Sequence, residues 1–346
     1  MTSRIRKGCD LKLIVHIGAG KTGSSSIQKA LEASFDPLGD QNMKYLGLML
    51  EHGSGSKIPS WRKTSGSPEF FLQYHQKDAI EQLKAVLLEE MQHPENAGLH
   101  ALIWSNEWMF ERAERILPAL KLVEAEGVDV EIVVYVRRHD RWIASSYVQW
   151  GIKNKAYPGP IRPFSEWLKG REFTIEKLLS PWLSAFGENV SVLNFDASSD
   201  VVEHFLKRLG LPPVSVERKN VSPPAAELAA WAVYNNLYKQ NIPENRFAVF
   251  LRRFRREQEN SAAVPELASL LPTVDELKDL QDQYSEDRAF VNRLLAEAGE
   301  PEFDDEREVQ APKLPGSWEM NRLLLEMVYH LNTRLSALER HLQEKK

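Results

Sequence analysis

The sequence predicts an α/β protein: a parallel sheet flanked by helices, followed by a helical C-terminal region. Three observations carry this. The apolar, β-branched run Leu13-Ile14-Val15-His16-Ile17 leads through a glycine turn into a helical pattern. Two more apolar runs, Ala101 to Trp104 and Val130 to Val136, end abruptly in polar residues, as buried parallel strands do. From Pro223 onward only helical spacing recurs. The expected division is a core over 1–222 and a helical region over 223–346 packed on it.

The first strand continues into Gly18-Ala19-Gly20-Lys21-Thr22-Gly23-Ser24-Ser25-Ser26, and then Ile27, Ala30 and Leu31 repeat at helical spacing. A strand, a glycine turn and a helix make a phosphate-binding turn. Glycines let the backbone approach an anion, and the amides of the first helical turn point at it. Lys21 adds a point charge, and Ser24, Ser25 and Ser26 add hydroxyl donors. The Walker A loop of nucleotide triphosphatases is excluded by spacing. It needs a glycine five residues before the Gly-Lys pair, where this chain has Val15. The competing reading is an ordinary strand-to-helix turn.

Further along, Asp36 to Asp40 reads as a turn and Tyr45 to Leu50 as a short strand. Glu51 to Pro68, rich in glycine, serine and proline, reads as a long loop of the mobile or functional kind. Phe70 to Gln92 reads as one helix, with Phe71, Tyr74, Ile80, Leu83 and Leu87 on one side. The second strand runs into Ser105-Asn106-Glu107-Trp108, which puts Glu107 just past a strand end, where open α/β sheets hold ligands. Leu117 to Glu126 is the next helix, closed by Gly127. The third strand runs into Arg137-Arg138, with Ser145 and Ser146 two helical turns later. Paired arginines at a strand end suit a second anion, because a guanidinium donates to phosphate in a fork. Beyond Pro223, helices are expected over Ala225 to Tyr238, Phe247 to Glu257, Val274 to Ala298 and Trp318 to Glu344. The last carries an apolar stripe, Leu324, Met327, Leu331, Leu335, Leu338 and Leu342, which packs on the core or makes a dimer contact. The basic run 250–256 reads as a solvated face or as a surface for an anion.

A glycine, two residues, lysine, threonine, glycine and then serines, followed by strand, arginine, eight residues, serine and tyrosine, resembles the paired signature of sulfotransferases. These enzymes use 3′-phosphoadenosine 5′-phosphosulfate (PAPS). The resemblance covers about residues 11 to 225 and is closest to bacterial carbohydrate-type members. It extends through Tyr147-Val148-Gln149-Trp150, Phe164 to Leu168, Pro181 to Gly187, Val192 to Asp196 and Asn220-Val221-Ser222. It implies a P-loop NTPase-like fold and PAPS as co-substrate without metal. It also implies nucleotide contacts from Gly20, Lys21, Thr22, Gly23 and Ser24 to Ser26. The 3′-phosphate would be gripped by Arg138 with Ser146, in the register that sets Tyr135 three before the arginine. Arg137 with Ser145 and Tyr147 is the register of glycan-modifying members.

Sulfuryl transfer needs a cation at the bridging oxygen, donors around the moving group and a base for the acceptor hydroxyl. Lys21 and the amides of 21–26 answer the first two needs. Glu107 answers the third, with His16, His52, His75 and His139 as alternatives and a structural carboxylate at a helix start as the bland reading. The expected acceptor is a sugar hydroxyl. Trp104, Trp108, Trp142 and Trp150 could form a platform for it, though such residues are more often core. The alternatives are a nucleotide-dependent P-loop kinase and a catalytically silent nucleotide-binding module. Composition narrows the field: 44 Lys plus Arg against 49 Asp plus Glu make the chain mildly acidic, a poor general nucleic-acid binder. A single cysteine, Cys9, excludes an intramolecular disulfide. No apolar run approaches a membrane span, so the expected location is the cytoplasm.

Overall fold

Among the described residues, five short strands form one parallel sheet. They are β1 (Lys12–His16), β2 (Met43–Tyr45), β3 (Ala101–Ser105), β4 (Asp129–Val136) and β5 (Val190–Asn194), in the order β2-β3-β1-β4-β5. A computed structural model of the chain describes residues 11–34, 42–214, 225–236, 267–304, 309–321, 323–324 and 331. The helices are α1 (Ser24–Ala33), α2 (Gln76–Gln92), α3 (Ala113–Ala125), α4 (His139–Tyr147), α5 (Phe164–Leu168), α6 (Ile175–Phe186), α7 (Val201–Arg208), α8 (Ala225–Asn236), α9 (Leu267–Leu270), α10 (Val274–Gln283) and α11 (Ser285–Glu297). The predicted α/β class is the one observed. Among the described residues no helix is long and apolar enough to cross a membrane.

Two compact units divide the chain, each assembled from three stretches. The first comprises Met1–Arg138, Thr174–Asn220 and Tyr284–Asp305; the second comprises His139–Phe173, Val221–Gln283 and Glu306–Lys346. The first holds the whole sheet. Alternate strand residues point to opposite faces. On one face Ile14, Ile103, Val133, Tyr135 and Leu193 meet Ile27 and Leu31 of α1 and Phe205 and Leu206 of α7. Helices α3, α6 and α11 pack along β4 and β5, and α2 packs on α3. Both faces are thereby covered, which is why the strands read as unbroken apolar runs. The start of α6 has no capping side chain of its own. Asp287 of α11 fills that role, accepting the Ile175 and Glu176 amides at 2.7 Å each.

In the second unit α10 packs beside α4, and α8 lies on the π-helical turn Val148–Lys153. Tyr147 is fully buried there, with its hydroxyl donating to the Leu270 carbonyl at 2.6 Å.

Two expected helices are interrupted. The one over 70–92 is a π-helical turn, Glu69–Gln73, separated from α2 by extended Tyr74 and His75. The break turns Phe70 against Trp61 and Phe71 against Trp108, while Arg115 takes the Tyr74 carbonyl at 2.7 Å. The helix over 274–298 splits at Tyr284, the boundary between the units. The strand expected over 45–50 lies earlier, at Met43–Tyr45, and shares only Tyr45 with that range. The expected helix 247–257 with its basic run, the sequence 220–222 and most of the 318–344 helix lie outside the described residues.

The long loop after β2 is internally braced. Arg62 is 6% exposed and Glu90 of α2 0%. The guanidinium donates to Glu90 Oε1 at 2.7 Å, to the Leu50 carbonyl at 2.7 Å, and to the carbonyls of Gly55 and Lys57 at 3.1 and 2.6 Å. Glu90 also accepts the Ser54 and Gly55 amides at 2.9 and 2.6 Å. A side chain at Gly53 would collide with this pair, since a Cβ there would stand 2.1 Å from Arg62 Nη2. The fully buried carboxylate and guanidinium satisfy each other and the turning backbone around them. Removing one partner strands the other charge. Arg62→Met is therefore expected to destabilise the protein by about 3–5 kcal/mol in urea unfolding. Glu89→Gln, at the exposed bonds to Ser56 and Lys57, should cost under about 1 kcal/mol.

Candidate active site

The last pairs of the central ladder set the site. His16 of β1 lies level with Ser105 of β3 and with Val133 of β4. The ladder continues one step, with Asn106 N–H on the His16 carbonyl at 3.1 Å and Ile17 N–H on the Val133 carbonyl at 3.0 Å. The turns that follow β1 and β3 therefore leave the sheet side by side. Gly18 is in the left-handed region, with φ +37°, and a Cβ on it would stand 2.4 Å from Ser24 Oγ and 3.4 Å from Glu107 Cα. Only glycine permits that approach.

The glycine turn closes on itself. The fully buried Thr22 donates its hydroxyl to the Ala19 carbonyl at 2.6 Å, and Ser24 reaches the same carbonyl at 3.4 Å. Gly23, with φ +81°, caps α1 and accepts the Ser26 and Ile27 amides at 2.8 and 3.1 Å. A Cβ at Gly23 would meet Val201 at 2.6 Å. Lys21 takes φ +68° despite its side chain, a local strain of about 1–2 kcal/mol. Gly20 is exposed, and Ser25 and Ser26 are half-buried on the first turn of α1. The amides of Ser24 and Ser25 come before the two that the Gly23 carbonyl accepts and stand at the open start of the helix.

Glu107 is half-buried directly beyond β3. Burial raises its carboxyl above the ordinary value, and the positive charge of Lys21 pulls the other way. The two predicted catalytic residues are thus within electrostatic reach of each other. Asn106, which the sequence reading passed over, holds the turn. It is fully buried; its Oδ1 accepts the Trp108 amide at 2.9 Å, and its Nδ2 donates to the Leu48 carbonyl at 2.9 Å and to Ser67 Oγ at 3.1 Å.

Beyond β4 the two arginines diverge. Arg137 donates to the Lys21 carbonyl at 3.3 Å, lies over the Phe195 ring at 5.1 Å and pairs with Asp196 at 3.6 Å. Arg138 is 3% exposed; its Nη1 donates to the Asp304 carbonyl at 2.7 Å and its amide to Asp196 at 2.8 Å. Asp196, also missed in sequence, thus holds both. Ser145, half-buried, and Ser146, buried, belong to α4 in the second unit.

The other candidate bases are placed as follows. His16 is fully buried, its Nδ1 bonded to Ser105 Oγ at 2.8 Å between Tyr135 and Phe205, and burial holds its pKa down at about 3. It is a neutral core residue. His52 is half-buried, edge-on to Tyr45. His75 is exposed and pairs with Asp78 at 3.7 Å, and His139 is buried at the start of α4. Of the tryptophans, Trp104 and Trp142 are buried, and Trp108 is stacked by Phe71 at 5.9 Å with Arg112 4.8 Å from its centroid. Trp150, 50% exposed, shows the most surface of the four. Among the described residues no group of three or more His, Cys, Asp or Glu is placed to hold a metal ion.

No protein-family model matches the chain, and no curated protein matches it in sequence. Solved structures with a detectable likeness include an unliganded sugar kinase from Janibacter sp. HTCC2649, at 14% identity and TM-score 0.28. That match spans 59% of this chain and 96% of the kinase. They also include a retinol dehydratase in complex with retinol and PAP, at 12% identity and TM-score 0.26, spanning 88% of this chain and 84% of that one.

The raised Glu107 carboxyl has a consequence for stability. The folded state holds this proton more tightly than the unfolded chain does. Below the ordinary carboxyl pKa both states are protonated and nothing is lost. As pH rises towards the folded value, the unfolded state ionises first and the fold loses stability. Glu107→Gln cannot ionise, so its melting temperature should gain on the parent's between pH 4 and pH 7. An unchanged gap would mean that Glu107 is not desolvated.

Proposed function

We propose that the protein is a sulfotransferase moving a sulfuryl group from PAPS to an acceptor hydroxyl, a sugar hydroxyl by the residue pattern. The observation that carries this is the juxtaposition of a lysine on a short glycine turn with a half-buried carboxylate past the adjacent strand. The turn is too short for Walker A, yet it presents a cation and helix-start amides to an anion. The carboxylate sits where an acceptor would enter.

In this reading the acceptor oxygen attacks sulfur while the bond from sulfur to the phosphate oxygen breaks. Glu107 takes the hydroxyl proton, and Lys21 with the amides of the turn meets the charge that grows on the departing phosphate. A carboxylate raised by burial is a better base than an exposed one. For the second phosphate we assign Arg137 ahead of Arg138. The support is that Arg137 reaches the carbonyl of Lys21 in the phosphate turn, whereas the buried Arg138 donates to Asp304.

The desulfated nucleotide should raise the melting temperature in EDTA more than ATP with Mg²⁺ does; the reverse order would favour a kinase. Glu107→Gln should lower turnover of labelled PAPS by about 10²–10⁴. Its affinity for the desulfated product should stay within roughly threefold, because a base acts on the acceptor and scarcely on the bound nucleotide. Normal turnover by this variant would move the base elsewhere, with His52 and His75 next.

The two arginines separate by calorimetry. Loss of a charge-assisted hydrogen bond costs about 1.5–3 kcal/mol, or one to two decades of affinity. Arg137→Ala should show that loss for the 3′-phosphorylated product and little change for adenosine 5′-phosphosulfate, which lacks the 3′-phosphate. If Arg138→Ala alone shows it, the other register holds.

A further inference from the structure

We infer that Asn106 is the positioning residue of Glu107, fastening the carboxylate and the neck of the 48–67 loop to the end of β3. The inference rests on the reading of Glu107 as the base. Asn106 is fully buried and uses both ends of its amide. Oδ1 accepts the Trp108 amide at 2.9 Å, closing a turn with Glu107 at its apex. Nδ2 donates to the Leu48 carbonyl and to Ser67 Oγ, at 2.9 and 3.1 Å, so one group grips both ends of the loop. The Leu48 carbonyl also accepts Trp104 Nε1 at 3.0 Å, from within β3 itself. The Asn106 backbone N–H meets the His16 carbonyl at 3.1 Å, two residues before Gly18. The residue therefore ties together the strand that launches the phosphate turn, the turn that carries the base and the loop beside it. The Arg62–Glu90 pair braces the 50–57 part of that loop just beyond its neck. Lys21, in the phosphate turn, is the charge that acts on Glu107 in this arrangement.

The test compares Asn106→Ala and Asn106→Asp with the parent by carbon-13 titration of the Glu107 carboxyl. The signal is assigned by its disappearance in Glu107→Gln. Product affinity and turnover of PAPS are read in parallel. In Asn106→Ala the turn is released, and the Glu107 titration should move down towards the ordinary carboxyl range. Turnover should fall by about 10- to 100-fold with product affinity within about threefold, the signature of misplacement. In Asn106→Asp the turn acceptor stays but a second carboxylate lies beside Glu107, and its titration should move up. An unmoved Glu107 titration in both folded variants overturns the inference. So does failure of both to fold, because the residue would then hold the fold and not the base. A parent protein that binds no PAPS product and transfers no sulfuryl group defeats the functional reading alone; the titration still decides the role of Asn106.

Discussion

In-register parallel pairing of β1 with both β3 and β4 is the constraint from which the site follows. Because His16 is level with Ser105 and Val133, the residues two steps beyond β1 and β3, Gly18 and Glu107, emerge together. A parallel sheet leaves its strand-end carbonyls and amides to be satisfied by the turns that follow. Here Asn106 and Ile17 extend the ladder one step before the chains part. The side-chain-free face of Gly18 then lets the turn that carries Glu107 approach the glycine turn. A one-residue slip of β3 would move each of its buried side chains to the opposite face and carry Glu107 away.

Rigidity around this point comes from buried polar groups that are fully matched. The Arg62–Glu90 pair wraps the backbone of the 50–57 segment, and Asn106 closes the loop's neck. Buried ion pairs are weak sources of net stability, because desolvation offsets much of their attraction. What they supply here is a single geometry, since any other arrangement of the loop would strand a charge away from water. A long connection rich in glycine and serine is thus tied both to a buried ion pair and to the end of β3.

Two opposed effects act on the carboxylate of the site. Gly20 is exposed, and Lys21 and Glu107 are both half-buried; burial raises the Glu107 carboxyl and the charge of Lys21 only partly restores its ionisation. Beyond β4, Asp196 pairs with Arg137 and accepts the Arg138 amide, which orients the first guanidinium beside the turn. His16, a step behind the turn, is kept neutral by burial and adds no charge beside Lys21.

The strand, the glycine turn, Lys21 and the position of Glu107 past a strand end were legible in sequence, because each is a local pattern with a short period or a fixed spacing. The α/β class was legible for the same reason. What only the tertiary structure decided are relations between distant residues. Asn106 meets Leu48 and Ser67, Arg62 meets Glu90, and Asp287 caps α6, all across separations that no periodicity encodes. The two arginines are equivalent to any spacing rule; they differ because successive residues after β4 turn to different neighbours, one to Lys21 and one to Asp304. The interruptions at Tyr74 and Tyr284 were also hidden, because an apolar stripe persists through a break when packing, not propensity, chooses where the helix stops. Of the serines and threonines in the turn, sequence could say that they were polar. Only the fold determined that Thr22 is spent on the Ala19 carbonyl.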